Sequence, residues 1–197
     1  MMRILKQVFN LTRFNRLLIV IATVSVLAGC LAIPEGVEPV TDFDVNRYSG
    51  TWYEVARLDH RFERGLSNVT ASYSLQDDGT VKVVNRGYNF EDDSWDDAVG
   101  KAAFVDATDV GYLKVSFFGP FYGAYAVFEL DKQDYQYAFV AGNTTSYLWL
   151  LSRTPTVSGT LRQQFIDKTT TLGFDPAGLI WVDQSRHSPA DNGTPAG

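Results

Sequence analysis

Eight short segments rich in Val, Tyr, Phe, Trp and Thr follow one another between residues 51 and 153, and no other feature restricts the fold of this chain so much. They are Thr51–Leu58, Val69–Leu75, Val81–Tyr88, Trp95–Val105, Leu113–Phe118, Gly123–Leu130, Tyr135–Ala141 and Tyr147–Arg153. β-Branched and aromatic residues suit a pleated, half-buried surface. Asp77-Asp78-Gly79, Asp109-Val110-Gly111, Gly119-Pro120 and Gly142-Asn143 separate the segments with turn-forming residues. Short strands at near-regular spacing predict a sandwich or a barrel. The links are short, which favours antiparallel neighbours and an up-and-down meander. One helix follows. Ser158 can cap it, Leu161, Phe165, Ile166, Thr169 and Leu172 fall on one face, and Gly173 ends it. Leu179-Ile180-Trp181-Val182 reads as a last short strand.

The N-terminus has a different pattern. Arg3, Lys6, Arg13 and Arg16 come first, Leu17 to Val26 is almost wholly aliphatic, and Leu27-Ala28-Gly29-Cys30 closes the run. Basic, apolar, then small is the layout of a secretory signal, and the apolar stretch is too short to span a bilayer as a helix. A cysteine directly after the small residues resembles a bacterial lipoprotein signal. That resemblance implies diacylglycerol on the Cys30 sulfur, removal of residues 1–29 and acylation of the new amino group. Two or more acyl chains hold a protein firmly where one holds it marginally. Leu31, standing where an aspartate would favour the inner membrane, implies a lipid anchor in the bacterial outer membrane, the domain facing the periplasm. Residues 30–46 carry Pro34, Pro39 and several acids and read as an extended tether. Residues 47–183 form the folded domain, and the polar residues 184–197 a disordered tail.

The formal net charge is −6, and the signal takes basic residues away with it. An acidic surface repels nucleic acid, which is excluded as a partner. Cys30 is the only cysteine, so no disulfide forms within the chain and stability comes from packing. Aromatic residues make up 14% of the sequence, enough to wall a large apolar interior or cavity.

Gly50-Thr51-Trp52 opens the first strand, Asp134-Tyr135 the seventh, and Arg153 closes the eighth just before the helix. Together, in this order and spacing, the three pieces resemble the three short signatures of the lipocalins. Trp52-Tyr53-Glu54-Val55-Ala56-Arg57, Phe117 to Gly123 and Tyr147 to Arg153 are similar to the bacterial lipoprotein branch of that family. The resemblance covers residues 46–183 and implies an all-β fold: an eight-stranded antiparallel up-and-down β-barrel with one C-terminal α-helix and a short final strand. Gln133 stands where the second signature often has threonine, which removes one loop hydrogen bond from the family pattern. In a closed meander the first and eighth strands are neighbours. Trp52 and Arg153 then meet at the closed end, where the guanidinium can cover the indole and reach main-chain carbonyls. Gly50, Trp52, Asp134, Tyr135 and Arg153 are therefore structural.

An eight-stranded barrel can enclose one small ligand, and in-facing residues alternate along each strand. With Trp52 facing in by the resemblance, Glu54 and Ala56 follow it. With Arg153 setting the eighth strand, Leu151, Trp149 and Tyr147 face in. Trp149 and Tyr147 are the leading ligand-binding candidates, followed by Tyr125, Tyr137, Phe139 and Glu54. A cavity of this kind suits an acyl chain, since each buried methylene gains about 0.8 kcal/mol relative to water. Fatty acids and lysophospholipids fit best. The aromatic stretch Phe117 to Tyr122 sits at the open rim, where it can touch a membrane, close as a lid or pair with a second copy in a homodimer. Arg57, Arg61 and Arg64 lie near the mouth, within reach of a lipid headgroup.

The chain lacks other chemistry. His60 and His187 have no metal-ligand spacing, no Gly-x-Ser-x-Gly elbow is present, and the acid run Glu91 to Asp97 lacks the spacing of a calcium loop. No catalytic residue, metal or cofactor is expected, and the chain does not read as an enzyme. The leading reading is a membrane-anchored carrier of single-chain lipids, with envelope maintenance under stress implied by the resemblance. A lipid-modifying enzyme using Glu54 as base, and a structural lipoprotein with a filled barrel, are the alternatives.

Overall fold

The computed structural model describes residues 31–186. The signal, Cys30 and residues 187–197 lie outside them. Eight strands run antiparallel in sequence order: β1 (Gly50–Leu58), β2 (Leu66–Leu75), β3 (Val81–Asn89), β4 (Ser94–Phe104), β5 (Tyr112–Phe118), β6 (Phe121–Leu130), β7 (Tyr137–Ala141) and β8 (Leu148–Ser152). β1 pairs with both β2 and β8, so the sheet closes into a barrel and leaves no free edge among the eight. A short helix α1 (Val45–Tyr48) precedes the barrel, α2 (Gly159–Thr171) follows it, and β9 (Leu179–Trp181) adds to the outer side of β1. No helix among the described residues is long and apolar enough to cross a membrane.

Alternation along the strands divides the apolar residues into two cores. Trp52, Tyr73, Val83, Leu113, Val140 and Leu151 point into the barrel. Ala56, Phe128, Phe139, Leu148 and Leu150 point outward, beneath α2, where Phe165 is fully buried. The helix forms as its sequence predicts. Ser158 accepts from the Leu161 N–H, Phe165 and Thr169 face the barrel, and Gly173 takes φ +82° just beyond the end.

Two segments differ from the sequence expectation. The tether assigned to residues 30–46 is not a free spacer over most of its length. Val37 and Phe43 are buried, the Val40 N–H donates to the Val127 carbonyl, and the Phe43 N–H donates to that of Asp109. Spaced apolar residues among the prolines gave the segment something to bury, and α1 then plugs the closed end with Tyr48. Residues 184–186, assigned to the tail, are held against the barrel; the rest of the tail lies outside the described residues. Gln184 donates to the Glu54 and Val69 carbonyls, and the Arg186 N–H donates to the Asn68 side chain.

The closed end is built on Arg153. Its guanidinium carbon lies 3.8 Å from the centre of the Trp52 ring, itself fully buried. Nη1 donates to the Thr51 carbonyl at 2.8 Å, and Nη2 to those of Arg47, Tyr48 and Ser49 at 2.8, 3.1 and 3.0 Å. Trp52 donates its indole N–H to the same Tyr48 carbonyl. Gly50 has φ +95°, a conformation that calls for glycine. Asp134 lies in an exposed turn, and Tyr135 is buried beside it, its hydroxyl accepting from the Asp44 N–H. Asp131 holds this turn. Its carboxylate accepts from the N–H groups of Gln133, Asp134 and Gln136.

Arg153→Ala strips the cap from the indole and removes the guanidinium donors from the Thr51, Arg47 and Ser49 carbonyls. It is expected to lower unfolding free energy by about 3 kcal/mol, measured by urea denaturation. Arg153→Lys keeps the charge but loses the planar fork and is expected to recover only part of that loss.

Candidate functional site

Above the Trp52–Arg153 floor lies a cavity of about 620 Å³, within the roughly 300–1,000 Å³ typical of small-molecule sites. Apolar residues such as Val83, Leu113, Val115 and Leu151 line it. Its mouth is edged by Phe62, Phe118, Phe121 and Tyr122, with Phe118 73% and Phe121 79% exposed. These rings stand outward rather than folding back over the entrance.

Of the ligand-binding candidates, Glu54, Tyr125, Tyr147 and Trp149 line the cavity. Tyr137 and Phe139 do not. They face the opposite side of β7, where Phe139 meets Phe165 of α2 edge-on at 4.8 Å, and the inward residues of that strand are Ala138 and Val140. Aromatic content alone had nominated them, and no motif fixes the facing of β7.

β1 carries a second correction. Ala56 lies on the outer face against α2, and Arg57 turns inward. The pairing with β8 shifts register between Glu54 and Ala56, a bulge that inverts alternation for the rest of the strand. Arg57 is therefore no free headgroup ligand. Buried to 3% exposure, it donates to Glu54 Oε1 at 2.7 Å and to the carbonyls of Glu63 and Leu66 at 2.8 and 3.1 Å. Glu63 Oε2 in turn lies 3.0 Å from His60 Nε2 and accepts from Trp149 Nε1 at 3.2 Å. The His60 ring packs on Tyr147 and Trp149 at 5.6 and 5.3 Å. Sequence reasoning left His60 and Glu63 without a role. Their i, i+3 spacing was the available sign, but only the bulge brings them over Arg57. Arg64 is exposed and paired with Asp59, and Arg61 lies over the Phe62 ring.

The electrostatics follow from burial. Desolvation pushes the Glu54 carboxyl well above the ordinary carboxylate range, Glu63 adds to this, and Arg57 opposes it. Burial acts on Glu63 in the same sense, but His60 and Arg57 outweigh it and hold Glu63 below the ordinary range. Two carboxyl groups thus share one guanidinium, and only one readily carries charge. The pairing is incomplete: Arg57 Nε and both ring nitrogens of His60 are buried without a hydrogen-bond partner among the described residues. Among the described residues no group of three or more His, Cys, Asp or Glu is placed to hold a metal ion.

A proton held by Glu54 in the folded state but released in the unfolded state makes stability fall as pH rises from the ordinary carboxylate value through the raised one. Glu54→Gln removes that dependence. The stability of this variant relative to the parent is expected to increase from pH 4 to pH 8, measured by urea denaturation at each pH. A pH-independent difference would count against a raised Glu54.

Residues 43–184 match the family model described as a lipocalin-like domain. The chain is 60% identical over 158 residues to the Outer membrane lipoprotein Blc of Vibrio cholerae, covering 80% of this chain and 92% of that one. It is 54% identical over 151 residues to the protein of the same name from Escherichia coli, covering 77% and 85%. Among solved structures, lobster apocrustacyanin A1 superposes with a TM-score of 0.60 at 17% identity, covering 81% of this chain and 97% of that one, a likeness of fold.

Proposed function

The chain belongs to the lipocalin family, and from that membership we propose that it binds and carries single-chain lipids, fatty acids and lysophospholipids, from an anchor at Cys30 in the bacterial outer membrane. The observation that carries this reading is the open, apolar cavity of about 620 Å³ in a barrel whose other end is sealed. An acyl chain entering it exchanges water for apolar wall at about 0.8 kcal/mol per methylene. Against a bilayer the net gain is small, which suits exchange with membranes better than storage. A cavity of this size supports a binding role over that of a structural lipoprotein with a barrel filled by its own side chains. Glu54 is already engaged by Arg57, which supports binding without chemistry on the lipid. The names of the relatives support attachment at the outer membrane. A homodimer formed through the aromatic rim is compatible with the exposure of Phe118 and Phe121.

Titration with lysophospholipid, followed by tryptophan fluorescence and calorimetry, is expected to saturate at one ligand per barrel. Trp149→Ala removes wall near the mouth and is expected to weaken binding by about tenfold while the far-ultraviolet circular dichroism stays that of the parent. Lipid recovered from the complex is expected to be chemically unchanged. No saturable binding by any amphiphile would favour the structural role, and altered lipid the enzymatic one.

A further inference from the structure

We propose that the floor of the cavity is a hydroxyl-binding subsite, selecting single acyl chains that carry a hydroxyl group far from their head. This rests on the lipid-binding reading above and names the ligand class more narrowly. Tyr125 Oη lies 2.7 Å from Tyr48 Oη and 2.8 Å from Tyr73 Oη. All three residues line the cavity, and Phe43, Trp52 and Leu151 pack around them. They are a small polar island at the bottom of an apolar cup.

A phenol hydroxyl has one proton to donate and lone pairs to accept with. Three hydroxyls joined by two bonds use two of three protons. Whichever way the chain of bonds runs, one proton is left over, and no described protein group accepts it. Spare lone pairs are left beside it. One donor next to acceptors is what an alcohol group complements, since it brings one proton and lone pairs of its own. Burial pushes all three phenols up, which keeps them neutral donors. A carboxylate fits the island less well. Glu63 already imposes negative charge on Tyr73, and Arg153 opposes it more weakly.

The position of the island sets where the hydroxyl must be. β2 runs from Leu66 at the mouth to Tyr73 near the floor, roughly 23 Å along the strand and less in depth, because barrel strands tilt by roughly 35–45°. A chain held with its head at the mouth brings its far end, not its first carbons, to the tyrosines. A plain chain end would shut these groups away from water and give them nothing to bond, which is how a hydroxyl-reading site rejects the analogue lacking the hydroxyl.

The test is native mass spectrometry of the full chain offered an equimolar mixture of hexadecanoic and 16-hydroxyhexadecanoic acid, the bound species being resolved by mass. The hydroxylated acid is expected in excess by about tenfold. 3-Hydroxyhexadecanoic acid, offered against hexadecanoic acid in its place, is expected to show no such excess, because its hydroxyl stays near the mouth. Tyr125→Phe removes the central hydroxyl and is expected to bring the first ratio close to one; Tyr73→Phe serves the same purpose should that variant fail to fold. Equal binding of the two acids by the parent chain, or an excess that survives in the variant, overturns the subsite while leaving the lipid-binding reading in place. Absence of both adducts overturns the lipid-binding reading itself.

Discussion

The guanidinium of Arg153 held over the Trp52 indole is the contact that turns a sheet into a vessel. The two residues are a hundred positions apart, and they meet only because β8 returns to β1. Once they meet, four carbonyls around the start of β1 converge on one side chain. This fixes where α1 crosses the end of the barrel and therefore where Tyr48 enters it. The floor, the tyrosine cluster above it and the depth of the cavity all descend from that contact. A barrel open at both ends would be a channel for water; with one end plugged it is a cup.

Much of this was legible in the order of the residues. Strand positions came from β-branched and aromatic runs between turn residues, and the helix from Ser158, a four-residue apolar spacing and Gly173. Each is a local signal, and each was reproduced to within a few residues. The Trp52–Arg153 pairing needed one non-local step, closure of the meander, and the family resemblance supplied it. Trp149 and Tyr147 were placed inside because Arg153 set the phase of a strand too short to lose it.

What the sequence concealed depended on phase and on docking. One extra residue at the β1 bulge sends Ala56 out and Arg57 in, and no composition rule announces a bulge. Tyr137 and Phe139 look as inward as any aromatic pair until α2 is found lying on the outer wall, because the helix creates a second interior. Residues 30–46 read as an extended tether because they hold two prolines and several acids, yet Val37 and Phe43 are enough to seat the described part of the segment on the barrel. The carboxyl pair Glu54 and Glu63 needed the bulge and the returning β1–β2 connection at once.

That connection has a bearing on how the vessel fills. Arg57 grips two of its carbonyls, Glu63 is tied to Trp149 and His60, and His60 is wedged against two rings. One lip of the entrance is riveted to the wall beneath it. The opposite lip, the β5–β6 hairpin with Phe118 and Phe121 in solvent, has no such rivets among the described residues. Of the two lips, the hairpin is the one that can shift without breaking contacts to the wall beneath it.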